Sequence, residues 1–209
     1  MLVREAMTTP VVGVPRTATI RQAIRVLHEH RITAAPVTDD TGRLVGIVSE
    51  MDLLRGEFEA DPRAFVRPVA TPAQPPPRRV NEVMTTEVRT TRPASDVAEL
   101  AEMMMTTGIK SVPVLDGTEL VGIITRHDLL AVLARSDTRI RDDVRAAIAT
   151  TLPDTEHWEV RVEDGVVELH GPADERAEGL CEVVARTVPG VTRVVVVTPS
   201  GDRTSDLSP

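Results

Sequence analysis

Two short segments, GIVSEMD at 46–52 and GIITRHD at 122–128, each place a hydroxyl and a carboxylate three residues apart. Residues i and i+3 share one face of a helix, and a helix N-terminus presents free N–H groups that attract phosphate. A carboxylate there can accept two hydrogen bonds from a ribose diol, and a hydroxyl can donate one to a phosphate. The candidate pairs are Ser49 with Asp52 and Thr125 with Asp128.

The same residue types also serve as ordinary helix N-caps, whose side chains satisfy the free N–H groups of the first turn. For a single copy of the pattern, a structural cap and a ligand site are equally good interpretations. The pattern occurs twice, in corresponding positions of a repeated sequence, and the choice between the two interpretations depends on what that repeat resembles.

An internal repeat contains the two segments. VREAMTTPVVGV begins at Val3 and recurs as VNEVMTTEVRTT from Val80. Further along, ITAAPV (32–37) matches IKSVPV (109–114), and RLVGIVSEMDLL matches ELVGIITRHDLL after the loss of one residue. Landmarks that recur in the same order predict two copies of one structural unit.

Each copy predicts the element order β-α-β-β-α. A short apolar run (Val11–Val14, or Val88 onward) precedes a helix whose apolar residues recur at spacings of three and four. In the two copies these helical residues are Ile20, Ala23, Ile24 and Leu27, and Val97, Leu100, Ala101 and Met104. Asp96 is expected to cap the second of these helices. A strand through Pro-Val, a turn and a second strand follow.

A third domain is expected after the repeats. Ile140, Val144, Ala147 and Ile148 form a helical stripe, and 158–171 has the alternation of two strands that turn at Asp164-Gly165. A second helix is predicted to place Ala177, Leu180, Val183 and Val184 on one face, before a strand at 191–197. The expected segments are 1–66 (first repeat), 67–79 (proline-rich linker), 80–137 (second repeat), 138–199 (α-β-β-α-β domain) and 200–209 (disordered tail).

The Pro-Val steps at 36–37 and 113–114, with the two Gly-apolar-apolar-[Ser/Thr]-x-x-Asp segments, resemble the CBS-domain pair, or Bateman module, over residues 3 to about 135. The C-terminal part resembles the BON domain through Gly165, Gly171 and PGV at 189–191. The resemblance implies an α/β (α+β) class, with two CBS-like repeats packed face to face and a small BON-like domain.

By resemblance, an adenine nucleotide is expected at each signature, with the ribose on the aspartate. The adenine slots are expected to be lined by Thr8, Thr9, Thr33 and Ala35 in the first copy, and by Thr85, Thr86, Lys110 and Val112 in the second. The second signature also contains Arg126 and His127, where the first has Glu50 and Met51. Because Lys and Arg donate charge-assisted hydrogen bonds, an anionic phosphate is expected to prefer the site of the second copy, which contains Lys110 and Arg126. Lys110, the only lysine among 24 basic residues, is thus assigned to phosphate rather than to a solvated surface.

The expected function is a regulatory module without catalytic activity, since no G-x-S-x-G, Walker A or dinucleotide fingerprint is present. The resemblance implies AMP, ADP or ATP as ligand, with NAD or S-adenosylmethionine as further candidates, and no required cofactor or metal. It also implies a homodimer through the CBS pair, while the protein partner is unknown. The alternatives are a scaffold that binds no nucleotide and a BON-led envelope or phospholipid adaptor.

Composition argues against nucleic-acid and membrane partners. The net charge is −8, so the sequence offers no broad basic surface for a phosphate backbone. The only aromatic residues are Phe58, Phe65 and Trp158, too few for the stacking of nucleic-acid bases. Residues 138–209 contain 14 acidic and 8 basic residues, a net charge of −6, which disfavours anionic lipid. The N-terminus lacks a signal-like apolar segment, so a cytoplasmic location is expected. The lone Cys181 excludes an internal disulfide.

Overall fold

The computed structural model describes residues 1–55, 58, 77–152, 158–171 and 175–197. Most of the predicted linker and all of the predicted tail therefore lie outside the described residues. Two compact units are present: one contains 7–95 and 99–126, and the other contains 1–6, 96–98 and 127–209.

The first repeat has the predicted order β-α-β-β-α, and the architecture is mixed α/β. Its elements are β1 (Val14–Pro15), α1 (Ile20–His30), β2 (Ala34–Thr38), β3 (Leu44–Ser49) and α2 (Glu50–Leu53). In the sheet, β1 is parallel to β2, and β2 is antiparallel to β3. The predicted strand at Val11–Val14 is shorter and begins only at Val14.

The second repeat forms α3 (Val97–Thr107), β4 (Ser111–Asp116), β5 (Glu119–Thr125) and α4 (Arg126–Leu133). Its expected first strand is reduced to one parallel bridge between Thr91 and Val114. The reason is a missing donor. In the first repeat the Arg16 N–H donates to the Thr38 carbonyl at 2.9 Å, whereas Pro93 stands at the matching position and has no N–H to donate.

The first helix of each repeat starts at a side-chain cap. Thr19 and Gln22 form a capping box at α1. At α3 the Asp96 carboxylate accepts the Ala98 N–H at 2.8 Å, which confirms the predicted cap. The apolar face of α1 packs into a core of Val14, Ile20, Ala23, Leu27, Ala35, Val37, Val48, Leu53 and Val80.

The C-terminal domain has the predicted α-β-β-α-β order: α5 (Asp137–Thr151), β6 (Glu159–Glu163), β7 (Val166–His170), α6 (Glu175–Thr187) and β8 (Arg193–Val197). The sheet order is β6-β7-β8, with β6 antiparallel and β8 parallel to β7. The turn lies at Asp164-Gly165 as predicted, where both residues have positive φ.

The predicted inward face of α6 is wrong for two residues. Leu180 and Val183 are 42% and 63% exposed, whereas Cys181 and Ala185 are fully buried. The buried stripe is rotated by about one residue, because Ala177, Cys181, Val184 and Ala185 recur at spacings of four, three and one along the packed side.

Candidate functional site

The N-terminal segment of each repeat pairs with the sheet of the other repeat. The backbones of Ile47 and Thr85 exchange two hydrogen bonds of 2.9 Å. Reciprocally, the Thr8 N–H donates to the Ile123 carbonyl at 2.8 Å, and the Ile123 N–H returns a bond of 3.2 Å. Residues from different repeats are therefore brought together at each sheet.

The glycine of each signature permits this close approach. A Cβ on Gly46 would lie 2.6 Å from Met84 Sδ and 3.0 Å from the Thr85 carbonyl oxygen. A Cβ on Gly122 would lie 2.5 Å from Met7 Sδ. Because real Cβ atoms do not approach so closely, the absence of a side chain lets the exchanged segment lie against the strand.

A pocket of about 350 Å³ lies where the Thr85 segment meets the first repeat. This volume falls within the range of small-molecule sites. The first repeat contributes Thr33, Ala34, Ile47, Ser49, Glu50, Met51 and Asp52 to the lining. The second repeat contributes its Thr85 segment and the turn between α3 and β4. The pocket therefore belongs to both repeats.

The Ser49–Asp52 pair lines the pocket and also caps α2. Asp52 Oδ2 accepts the Ser49 N–H at 2.9 Å and the Ser49 hydroxyl at 2.6 Å. The Asp52 N–H lies 3.4 Å from Ser49 Oγ. Both cap bonds to the carboxylate use Oδ2, so the other oxygen, Oδ1, takes no part in them. The two interpretations of the sequence pattern are therefore compatible at this site.

The strand residues of the expected slots are displaced by one position. Ala34 and Ser111 line the pocket, whereas the predicted Ala35 and Val112 are fully buried. Successive side chains on a strand point to opposite faces, so an error of one residue exchanges the pocket side for the core side.

The segment after Thr85 divides its side chains between two pockets. Thr85, Glu87 and Arg89 line the pocket at Asp52. Thr86 and Thr90 line a separate pocket of about 380 Å³, and Val88 lines both. Thr85 and Thr86 were expected to share one slot, but a tight turn closed by the Val88 N–H and the Thr86 carbonyl at 3.1 Å follows Thr85, and the two threonines line different pockets.

Lys110 lies in the pocket of the first signature, together with Thr33, Ser49 and Asp52. This corrects the expected grouping, in which Lys110 belonged with the second signature and each slot used one repeat only. Its backbone is nonetheless tied to the second signature, because the Lys110 carbonyl accepts the Arg126 N–H at 3.0 Å, just as the Thr33 carbonyl accepts that of Glu50 at 2.9 Å.

The remaining predicted residues lie around the second signature. Thr125 ends β5, and α4 begins with Arg126, His127 and Asp128. Arg126 and His127 are exposed, and Asp128 is partly buried. Thr8 is joined to this sheet through Ile123, and Thr9 follows it as an exposed residue.

Charged groups of both signs line the pocket. Lys110 and Arg89 are the cations, and Glu50, Asp52 and Glu87 are the carboxylates. Among the described residues, no ion pair joins these groups to one another. Glu87 and Arg89 were missed by sequence reasoning. Their position just after Thr85, which was itself an expected slot residue, was the available signal.

A wider groove of about 780 Å³ adjoins the pocket and shares Thr33 and Glu50 with it. Its apolar lining comes from α1 and α2, including Ile24, Leu27 and Leu53. The Glu50 side chain therefore borders both spaces.

Comparison with protein families accounts for the repeat. The family model of the CBS domain matches residues 3–59 and 80–135, which together exceed half of the chain. The chain belongs to the CBS-domain family. The model of the BON domain matches 136–198 of this CBS-domain protein, so the predicted succession of two CBS repeats and a BON domain is confirmed.

Two relatives each match just under two thirds of this chain. Protein MJ1426 of Methanocaldococcus jannaschii is 29% identical over 164 residues, covering 64% of this chain and 91% of that protein. An uncharacterized 33.4 kDa protein in the ribosomal RNA operon of Thermofilum pendens is 31% identical over 134 residues. That match covers 63% of this chain but only 40% of the relative, so the chain spans less than half of that protein's length.

Among solved structures, the CBS domain pair of protein MJ0100 superimposes with a TM-score of 0.52 at 26% identity, covering 63% of this chain and 94% of that one. That protein was crystallised with 5′-methylthioadenosine and S-adenosyl-L-methionine. In the present CBS-domain protein, none of the described helices is long and apolar enough to cross a membrane.

Proposed function

We propose that this CBS pair is a regulatory module that binds an adenine nucleotide and has no catalytic activity of its own. The ligand is AMP, ADP or ATP, with NAD and S-adenosylmethionine as further candidates. One observation carries the proposal: Ser49, Asp52 and Lys110, which come from different repeats, line one pocket. Hydroxyl, carboxylate and ammonium groups are together able to bind a ribose and a phosphate.

Each group has a distinct role in the proposed complex. Asp52 accepts hydrogen bonds from the ribose diol, because Oδ1 is not used by the α2 cap. Lys110 and Arg89 donate charge-assisted hydrogen bonds to a phosphate. The adenine lies against the apolar surface of Ile47, Val88 and Ile109. A second site, with Thr125, Asp128, Arg126, His127, Thr8 and Thr9, is proposed by analogy between the repeats.

The structure of MJ0100 supports the ligand class, since its CBS domain pair was crystallised with two adenosine derivatives. In the proposal, binding changes how the BON domain or a partner protein is engaged, and the CBS pair forms a homodimer. Such regulation requires that the ligand bind one arrangement of the protein more tightly than another.

Titration calorimetry tests this proposal directly. AMP, ADP, ATP, NADH and S-adenosylmethionine are titrated into the wild-type chain and into Asp52→Ala and Asp128→Ala. Micromolar binding that is lost in Asp52→Ala is the expected result. Loss in Asp128→Ala alone assigns the ligand to the second signature. Because Asp52 also caps α2, thermal unfolding of each variant separates a lost contact from a lost fold.

A scaffold that binds no nucleotide is the second candidate, and one observation favours it. The capping box of Ser49 and Asp52 gives both side chains a complete structural role without any ligand. In that case none of the five titrations gives heat, and no ligand raises the melting temperature.

A further inference from the structure

We infer that the pocket at Asp52 selects adenosine ligands with no more than one phosphate group and rejects nucleoside polyphosphates. This inference rests on the proposed function, because it specifies the ligand of the same pocket. The observation behind it is the balance of charge around the lining: three carboxylates, Glu50, Asp52 and Glu87, stand against two cations, Arg89 and Lys110.

The two cations match the charge of one phosphate. A phosphate monoester carries about −1.5 to −2 at neutral pH, which one lysine and one arginine neutralise. Both side chains are exposed, and no ion pair within the described residues engages either of them. They are therefore available to a ligand.

The carboxylates act against any further phosphate. Asp52 is fixed by its bonds to Ser49 and keeps its place at the ribose. Glu50 lines both the pocket and the neighbouring groove. Glu87 lies two residues from Arg89, and both residues line the pocket. A polyphosphate would bring additional negative charge toward Glu50 and Glu87, and like charges across a site discriminate against a ligand.

The second signature lacks this arrangement. Arg126 stands where the first signature has Glu50, and His127 stands where it has Met51. The acidic residue Glu50 thus occurs in the first copy only and is not shared by the second copy. Glu50 and Glu87 are accordingly assigned as specificity-determining residues of the first pocket.

The test is a comparison of adenosine, AMP, ADP and ATP by calorimetry in EDTA at low ionic strength. We expect AMP to bind at least about tenfold more tightly than ATP, with ADP between them. In Glu50→Gln/Glu87→Gln, the ratio of the two affinities should fall below about threefold, through tighter binding of ATP. Raising the salt concentration should reduce the wild-type ratio in the same direction, because exposed charges are screened.

Two controls locate the effect. Asp40→Asn/Glu119→Gln removes the same charge at exposed positions outside the described pockets, and it should leave the ratio unchanged. Asp52→Ala should abolish the AMP signal, which assigns that signal to this pocket.

The possible failures are distinct. ATP binding as tight as AMP, or a ratio that Glu50→Gln/Glu87→Gln does not change, overturns the charge selection and leaves the nucleotide site standing. AMP binding that persists in Asp52→Ala places the ligand elsewhere and also overturns this inference. Absence of binding by all four ligands overturns this inference, and it overturns the proposed function as well only if NADH and S-adenosylmethionine also fail to bind.

Discussion

Ile47 and Thr85 belong to different repeats, and their backbones exchange two hydrogen bonds of 2.9 Å. A further pair of bonds repeats this exchange next to α1, where the Ile20 N–H donates to Arg78 and the Val80 N–H donates to Ala18. The beginning of the second repeat therefore completes the first repeat. The pocket at Asp52 has walls from both repeats because of this exchange.

Gly46→Ala should destabilise the protein by about 1–3 kcal/mol, because overpacking at a tight contact forces neighbouring atoms to move. The added methyl group would meet the Met84 side chain and, at 3.0 Å, the Thr85 carbonyl oxygen. Since the backbone cannot yield as a side chain can, the Thr85 segment must shift. Urea unfolding measures the loss of stability, and calorimetry should show weaker ligand binding.

Gly122→Ala is the matched control for that substitution. The three atoms nearest the added Cβ all belong to the Met7 side chain, which has several rotatable bonds. We expect a smaller loss of stability than for Gly46→Ala, because no backbone atom need move. Equal losses in the two variants would show that the backbone contact at Thr85 is not what limits the space at Gly46.

The element order was predictable from sequence because it depends on local patterns. Periodic apolar residues gave α1 and α3, and the Asp96 cap was confirmed. The exchange between Thr85 and Ile47 was not predictable in this way. The first segment of each repeat could pair with either sheet, and only the packing of both repeats decides between them. Lys110 was therefore grouped with the second signature, whereas it lines the pocket of the first. Its contact with a phosphate remains a proposal.

Two smaller errors concerned which side chains of an element face the pocket or the core. One was made on a strand and the other on helix α6. Ala35 was predicted to line the pocket, but Ala34 does so. Because successive side chains of a strand point to opposite faces, an error of one residue exchanges the two faces. On α6, Leu180 and Val183 are more hydrophobic than Cys181 and Ala185, yet the smaller residues are buried. The close packing against α5 and the sheet decides this, and side-chain hydrophobicity alone does not reveal it.

Asp137→Ala should destabilise the BON domain by about 1–3 kcal/mol, the cost of leaving the N–H of the buried Gly165 without an acceptor. The Asp137 carboxylate accepts the N–H groups of Asp164 and Gly165, both at 3.0 Å, and so ties the start of α5 to the β6–β7 turn. Thermal unfolding of the full chain measures the loss.

Asp137→Asn retains one acceptor oxygen and should lose less stability than Asp137→Ala. Asp142→Ala serves as the charge control, because Asp142 pairs only with its exposed neighbour Arg141 among the described residues. We expect a change within about 0.5 kcal/mol there. If Asp142→Ala cost as much as Asp137→Ala, general charge effects and not the turn contacts would explain the result.

Gly179→Ala should stabilise the BON domain by about 0.5–1 kcal/mol, because alanine is the better helix former. Gly179 lies within α6 in an exposed position, and a Cβ there would meet no atom within 4 Å. Chemical denaturation gives the change in the free energy of unfolding. A loss of stability instead would show that this face of α6 contacts something that tolerates only glycine.

Gly171→Ala should have the opposite effect, since an added Cβ would overlap the Trp158 ring. A loss of about 1–3 kcal/mol is expected for overpacking. Trp158 is the only tryptophan of the chain and is 8% exposed, so its fluorescence reports on this contact directly. An unchanged emission maximum in Gly171→Ala would mean that the ring does not pack on residue 171.

Cys181 should make stability fall at alkaline pH. Burial raises the pKa of its thiol above the usual value of 9.0, because the thiolate is poorly solvated in the core. The unfolded chain therefore ionises first, and the stability present below pH 9.0 is lost as the pH rises through the folded-state pKa. Alkylation gives an independent check of burial, because the thiol should react slowly with an alkylating reagent in the native state and rapidly in urea.

Urea unfolding at neutral and alkaline pH should show that the free energy of unfolding declines more steeply for the wild-type chain than for Cys181→Ala. Parallel declines in both proteins would assign the alkaline loss to other groups.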